Sequence, residues 1–142
     1  LTDGEVVDYD QVEADLKSDG ELFRIKEIGF DPWNAGALAT YLEVDGFNMV
    51  QMRQGFATMA HPTKEFEVMV MRREFEHFGN PALRWMAKNA QVVRDSNEKL
   101  RPGKNRSADR IDGIVATIMA LGRALVSADA ESVYEKRGPL VI

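Results

Sequence analysis

Three acidic side chains occupy positions where carboxylates could bind metal ions and cut phosphodiester bonds. Asp31 follows the short apolar run at residues 28–30, and Asp109 and Asp112 lie three residues apart at the start of a helical pattern. Carboxylate oxygens are ligands that Mg²⁺ and Mn²⁺ prefer. Two such ions about 3.5–4 Å apart stabilise the attacking and leaving oxygens of phosphodiester hydrolysis, so acids from distant parts of the chain must converge.

Each of these acids also has a purely structural explanation. An Asp before proline, such as Asp31 before Pro32, commonly makes a turn, and a helix dipole favours acids such as Asp109 and Asp112 in the first turn. Asp112, however, lies between two isoleucines, and a carboxylate beside an apolar stripe needs a partner that a shared metal ion would supply. Gly113 leaves room for a close approach of backbone or ligand.

The charge of the chain leaves two hypotheses open for nucleic acid. The net charge is -5, so either DNA is not the partner or a local basic patch works beside an acidic metal site. Residues 99–110 contain five basic side chains, and Lys104, Arg106 and Arg101 are the candidates for binding phosphate. The alternative is that they form a solvated loop.

Composition restricts the classes of protein and of site. The chain has 142 residues, 44% hydrophobic and 29% charged, which predicts a single domain over residues 1–142 with its own core. It has neither an apolar run of about 20 residues nor a signal peptide, so no membrane partner is expected. There are no cysteines, and His61 and His77 lack zinc-ligand spacing. His77 and Asn34 are further candidates for orienting a ligand, although a structural histidine is the alternative.

A strand–helix–strand pattern would place Asp31 at the edge of a sheet. We predict a strand at residues 21–30, a helix at 34–44 and a strand at 47–52, which together form a parallel pair of an α/β sheet. Open α/β sheets bind their ligands at the carboxyl ends of such strands. A helix at residues 8–19, capped by Asp8 and ended by Gly20, is predicted to precede them.

The rest of the chain is predicted to add helices and a short strand. Trp33 and Trp85 are expected to anchor the packing. The predicted order is a loop at 53–61, a helix at 62–76, a short helix from Asn80-Pro81 to Asn89, a strand at 90–94, a hairpin or loop at 95–105, a helix from Ser107 to about Ser127, and a surface tail from Asp129.

Four sequence blocks resemble, in order and spacing, the large terminase subunit of tailed phages of the HK97-like group. They are IGFDPWNAGALATYL (28–42), VQMRQGFATMAHPTKEFE (50–67), HFGNPALRWMAKNAQVVRD (77–95) and KNRSADRIDGIVATIMALGRA (104–124). The resemblance implies an RNase H-like fold, a mixed sheet flanked by helices, and a two-metal endonuclease using Mg²⁺ or Mn²⁺. The family's catalytic, metal-binding acids fall on Asp31 and Asp112, with Asp109 as an auxiliary.

The resemblance also implies partners and a cellular setting. The partners are double-stranded DNA, the ATPase domain of the same subunit, the portal and the small terminase subunit. The setting is the cytoplasm of the phage's host or of a bacterium carrying a prophage. No GxxxxGK[ST] motif occurs, so the ATPase motor is expected to be absent from this chain.

One departure from the family pattern concerns its first catalytic acid, which lies on an opening strand. None of Asp3, Glu5 and Asp8 stands on a predicted buried strand. The resemblance therefore implies a nuclease domain without its opening strands, and hence an inactive fragment. Two alternatives stay open: a noncatalytic module that docks on the packaging motor or holds DNA, and another RNase H-like nuclease such as a junction resolvase.

Overall fold

The computed structural model describes residues 7–104 and 110–137, without the side chains of Asn34 and of 129–137. The chain divides into two compact units, Leu1–Arg53 and Gln54–Ile142. The single domain expected over residues 1–142 stays a prediction. In the part of the chain that is described, no helix combines the length and the apolar character that a membrane span requires.

The first unit is built around a parallel pair of strands. Its elements are α1 (Tyr9–Leu22), β1 (Ile28–Phe30), α2 (Pro32–Val44) and β2 (Met49–Gln51). β1 pairs with β2 in parallel, and α2 makes the connection, which confirms the predicted strand–helix–strand unit. The strands are shorter than predicted. The buried apolar side chains of this unit are Ala39, Leu42 and Met52.

Helix α1 begins as predicted but ends later. The side chain of Asp8 accepts a hydrogen bond from the amide of Gln11 at 3.0 Å, so Asp8 is the N-cap. The prediction that Gly20 ends the helix is wrong, because α1 continues to Leu22. A Cβ atom at Gly20 would lie 3.3 Å from the ring of Phe47, so a small residue is needed there for close packing.

Lys17 connects α1 with the C-terminal end of α2. Its Nζ lies 2.7 Å from Glu13 and 2.9 Å from Asp45. The hydrogen bonds to Glu13 and then to Asp45 raise the pKa of Lys17 above its ordinary value. All three side chains are at the surface, so the network fixes the position of the helices more than it stabilises the unit.

The second unit combines three helices with a β-hairpin. Its elements are α3 (Phe56–Met71), α4 (Pro81–Asn89), β3 (Ala90–Arg94), β4 (Leu100–Lys104) and α5 (Asp112–Arg137). β3 and β4 are antiparallel, which confirms the hairpin. α3 packs against α5 and β4, and α4 packs against α5. The buried apolar core residues of this unit are Met59, Ile111, Ile114, Ile118 and Met119.

Two helix boundaries in this unit differ from the prediction. α3 begins at Phe56 and contains Pro62, where a loop up to residue 61 was predicted. A proline inside a helix costs about 3 kcal/mol. Here the burial of the Pro62 ring offsets part of that cost. α3 ends at Met71, short of residue 76, because Arg73 has a φ of 59°.

α5 also has different ends, since it starts at Asp112 and continues to Arg137. The predicted N-cap, Ser107, lies outside the described residues. No glycine or proline occurs between residues 123 and 137, whereas Gly138 and Pro139 follow directly. The helix therefore includes much of what was predicted to be a surface tail.

Neither tryptophan is the packing anchor that was predicted. Trp33 is 87% exposed and Trp85 is 51% exposed. Trp33 lies in the first turn of α2, and Trp85 lies on the side of α4 opposite the residues that pack inward. Large apolar residue types predict burial only on average, and the face of the helix decides the individual case.

Candidate active site

Asp31 lies at the carboxyl end of a parallel strand, as predicted. β1 ends at Phe30, whose carbonyl oxygen accepts a hydrogen bond from the amide of Met52 at 2.8 Å. Asp31 is half-buried and is the N-cap of α2. Its Oδ1 accepts the amide hydrogen of Trp33 at 3.1 Å, with Pro32 at the first helical position. A carboxylate offers about four acceptor sites, so the capping bond leaves capacity for a second partner.

Asp112 is the first residue of α5 and is exposed. Its neighbours Ile111 and Ile114 are buried. The expectation that Asp112 needs a partner because it lies beside an apolar stripe is therefore wrong, since its side chain is at the solvent-facing side of the helix. The amide groups of the first turn stabilise a carboxylate there. The exposure leaves this carboxylate accessible to a cation.

Helix α4 holds the start of α5 in place. The amide of Gly113 donates to Sδ of Met86 at 3.1 Å, and Nδ2 of Asn89 donates to the carbonyl of Arg110 at 3.3 Å. A Cβ at Gly113 would lie 2.9 Å from Met86 Sδ and 3.3 Å from Leu83 Cδ1. The close approach predicted at Gly113 is thus made by α4 side chains. Sequence reasoning missed Met86 and Asn89, although their spacing of three residues places them on one helix face.

Gly113→Ala should lower the free energy of unfolding by about 1–3 kcal/mol, because the added methyl group would lie 2.9 Å from Met86 Sδ, so the Met86 side chain must shift and lose its contact with the Gly113 amide. Chemical denaturation of the chain measures the change. Gly36→Ala is the matched control, since nothing lies within 4 Å of its Cβ position in α2. That control should be neutral or stabilise by up to about 1 kcal/mol. Equal stability of the two variants would contradict the packing of α4 on α5.

The basic candidates differ in their surroundings. Lys104 is the exposed last residue of β4, and its carbonyl accepts a hydrogen bond from Gln91 Nε2 at 2.7 Å. Arg101 is half-buried, with its guanidinium carbon 4.9 Å from the centre of the Phe56 ring. A cation on an aromatic face is a packing contact. Lys104 is therefore the more accessible phosphate ligand of the two, while Arg106 lies outside the described residues.

The remaining candidates are less defined. The Nδ1 atom of His77 is buried and has no hydrogen-bond partner in the described structure, and its ring lies 6.3 Å from that of Phe75. Asn34 is in α2, and its side chain is not described. Asp109 lies outside the described residues.

The acids belong to different units, with Asp31 in the first and Asp112 in the second. Within residues 7–104 and 110–137, no group of three or more His, Asp or Glu side chains is arranged to hold a metal ion. The chemistry of the donors nevertheless fits a hard divalent cation, because both candidates offer carboxylate oxygens with free acceptor capacity.

Comparison with known proteins gives one family and closely related sequences. The family model for the terminase large subunit, endonuclease domain, matches residues 1–128. Protein YmfN of Escherichia coli strain K12 is 32% identical over 142 residues, which is 99% of this chain and 30% of that protein. The terminase large subunit of Enterobacteria phage HK97 is 30% identical over 125 residues, or 87% of this chain and 25% of that protein. The chain thus spans less than a third of these relatives.

Two solved structures share the fold. The crystal structure of the HK97 bacteriophage large terminase superposes with a TM-score of 0.76 at 30% identity, over 84% of this chain and 26% of that one. The large terminase nuclease from thermophilic phage G20c gives a TM-score of 0.65 at 13% identity, over 81% of this chain and 62% of that one. The second likeness shows the fold alone. The predicted RNase H-like α/β class is confirmed.

Proposed function

Because this chain belongs to the family of terminase large subunit endonuclease domains, we propose that, as part of the complete subunit, it cuts concatemeric viral DNA during packaging. The reaction is hydrolysis of phosphodiester bonds in double-stranded DNA. The family match over residues 1–128 is the observation that carries the proposal. The position of Asp31 at the carboxyl end of a parallel strand supports it, because such strand ends are where α/β sheets bind ligands.

We assign the chemistry to Asp31 and Asp112, with Asp109 as an auxiliary acid. The N-cap bond from the Trp33 amide fixes the direction of the Asp31 carboxylate, and Asp112 lies exposed in the first turn of α5. Divalent Mg²⁺ or Mn²⁺ held by such carboxylates supplies counter-charge for the extra negative charge of the transition state. Lys104 and Arg106 would bind the phosphates that flank the cut, with Arg101 behind them.

The proposed partners follow from the family. They are double-stranded DNA, the ATPase domain of the same subunit, the portal and the small terminase subunit. The work would take place in the cytoplasm of the phage's host or of a bacterium with a prophage. Since this chain covers 25–30% of the relatives' length, these partners belong to the complete subunit.

A noncatalytic module that docks on the motor or holds DNA is the second candidate. Two observations favour it: the acidic pI of about 5.1, and the lack of a group of three metal-binding side chains in the described residues. Another RNase H-like nuclease, such as a junction resolvase, is disfavoured by the match to the terminase family.

Calorimetric titration with Mn²⁺ distinguishes the nuclease from the docking module. A nuclease site should bind Mn²⁺ with saturable heat, and this heat should fall sharply in Asp31→Asn and in Asp112→Asn because each removes a charged ligand. Asp10→Asn, which changes an exposed acid on α1, is the matched control and should bind like the parent. Equal uptake by all four proteins, or no saturable uptake by any, would reject the metal site.

A further inference from the structure

Helix α4 has two faces with different chemistry. Leu83 and Met86 are half-buried on the face that packs against Gly113. Arg84, Trp85 and Lys88 are all exposed. At 100° per residue, these three fall within one arc of about 100° on the opposite side of the helix. The outer face of α4 therefore presents an aromatic ring next to two cations.

This face lies in the basic part of an acidic chain. Residues 81–110 contain eight Lys and Arg against three Asp and Glu, whereas residues 1–53 contain four against twelve. An anion with many charges is repelled by the first unit and attracted by the second. Among anions of macromolecular size, a nucleic acid backbone fits a helix face with two neighbouring cations, because its phosphates supply repeated negative charges.

The exposure of Trp85 adds a second observation that points to the same ligand. Its indole is 51% exposed, although tryptophan is a large apolar side chain that chains usually bury. An aromatic ring beside Arg and Lys is the combination with which proteins hold nucleic acids, because the ring packs on sugars or bases while the cations bind phosphates.

The position of α4 connects this face with the proposed active site. Met86 and Asn89 of α4 bind the backbone of Gly113 and Arg110, on either side of Asp112. DNA bound to the outer face of α4 would thus be held by the same helix that fixes the start of α5. β3 follows α4 directly and pairs with β4, which carries Lys104.

We propose that Arg84, Trp85 and Lys88 form a DNA-binding face that binds the phosphodiester backbone near the start of α5. This inference rests on the proposed function, which makes DNA the ligand, and it adds a binding surface separate from Lys104 and Arg106. The two cations bind phosphates, and Trp85 packs against the sugar or an unstacked base. The face would position the strand and take no part in bond cleavage.

The test is binding of a fluorescein-labelled 30-base-pair duplex to the whole chain, measured by anisotropy in EDTA at several NaCl concentrations. Arg84→Gln with Lys88→Gln should weaken binding roughly 10–30-fold near 0.15 M salt and lower the slope of log K against log salt by about 2. Lys64→Gln with Arg72→Gln is the matched control, since it removes one exposed Lys and one exposed Arg from the same unit. Thermal melting of each variant verifies the fold.

Fluorescence tests Trp85 directly. The chain has two tryptophans, so Trp33→Phe leaves Trp85 as the one indole reporter. Saturating duplex should change its emission, and Trp85→Phe in the wild-type chain should weaken binding less than Trp85→Ala. The proposal is overturned if the Gln double variant binds within twofold of the control variant, or if Trp85 emission is unchanged at saturation.

A cleavage assay tests the nuclease assignment separately from DNA binding. Cleavage needs added Mg²⁺ or Mn²⁺, whereas anisotropy in EDTA reads binding alone. Binding that depends on Arg84 and Lys88 supports the DNA-binding face, whereas a lack of cleavage by the longest polypeptide that carries this sequence would reject the nuclease. DNA cleavage together with binding that does not depend on Arg84 and Lys88 would support the nuclease and reject the DNA-binding face.

Discussion

Asp112→Asn and Asp31→Asn should each reduce DNA cleavage by about 10³-fold or more, because each removes a carboxylate that would hold a divalent metal ion, and that ion would stabilise the negative charge of the transition state by several kcal/mol. Asparagine is the informative replacement at both positions. It caps helices as well as aspartate does, so Asp31→Asn keeps the bond to the Trp33 amide while removing the charge. At the exposed Asp112, the substitution costs at most about 1 kcal/mol of helix-dipole energy.

Conversion of supercoiled plasmid to nicked and linear forms with Mg²⁺ or Mn²⁺ measures this effect. It should be followed in the longest polypeptide that carries this sequence, since the relatives are more than three times as long. Asp10→Asn, on α1, is the control that removes one exposed charge and should cut at the parent rate. Parent-like cutting by both site variants would show that Asp31 and Asp112 are not the catalytic acids.

Comparing Asp31→Ala with Asp31→Asn distinguishes a catalytic role of the Asp31 carboxylate from its role as the N-cap of α2. Asp31→Ala loses both the charge and the N-cap, which should cost about 1 kcal/mol of stability beyond that of Asp31→Asn. If Asp31→Asn is active and only Asp31→Ala is not, then Asp31 acts through the position of α2. Such a result would leave Asp112 as the supported acid.

Ile118→Ala should lower the free energy of unfolding by about 2–5 kcal/mol. Ile118 is 1% exposed on α5, the helix that packs against α3, and truncation there leaves a cavity that the surrounding side chains fill only in part. For a chain of this size the melting temperature should fall by roughly 10 °C. Urea denaturation followed by circular dichroism measures the free energy, and thermal denaturation followed by the same signal measures the melting temperature.

Val126→Ala is the matched control for Ile118→Ala, because Val126 lies on the same helix and is 52% exposed. Its effect should stay within about 0.5 kcal/mol. An Ile118 variant as stable as the Val126 variant would mean that the α3–α5 contact is not the core of the second unit. Ile118 is also six residues from Asp112, so loss of this core should loosen the start of α5.

The local parts of the fold were readable from the sequence because they depend on neighbouring residues. The N-caps at Asp8 and Asn80 follow from the donors that each helix start leaves unpaired, and both bonds are present. The parallel pair of strands joined by α2 follows from two apolar runs, because the segment between them has the 3.6-residue periodicity of a helix. The family itself follows from the order of four motifs, which the match over residues 1–128 confirms.

Errors arose where a residue's role depends on what lies across the fold. Pro62 suggested a helix start, yet burial in the packed interior keeps it inside α3. Asp112 was expected to need a partner, but the rotation of α5 exposes it. The residues that surround these side chains come from distant parts of the sequence, so neither a hydrophobic period nor a motif predicts them.

By itself, the sequence determined the helix caps, the strand–helix–strand unit, the family and the two acids whose types suit a hard cation. Those features need only the preferences of short segments and the order of motifs along the chain. Tertiary structure alone decided which side chains became accessible, including Asp112 at the solvent-facing start of α5 and Trp85 on the outer face of α4. The exposure of a side chain depends on all the elements that pack around it. The hydrophobic effect stabilises the arrangement that removes the most apolar area from water, and a short segment of sequence does not determine that arrangement.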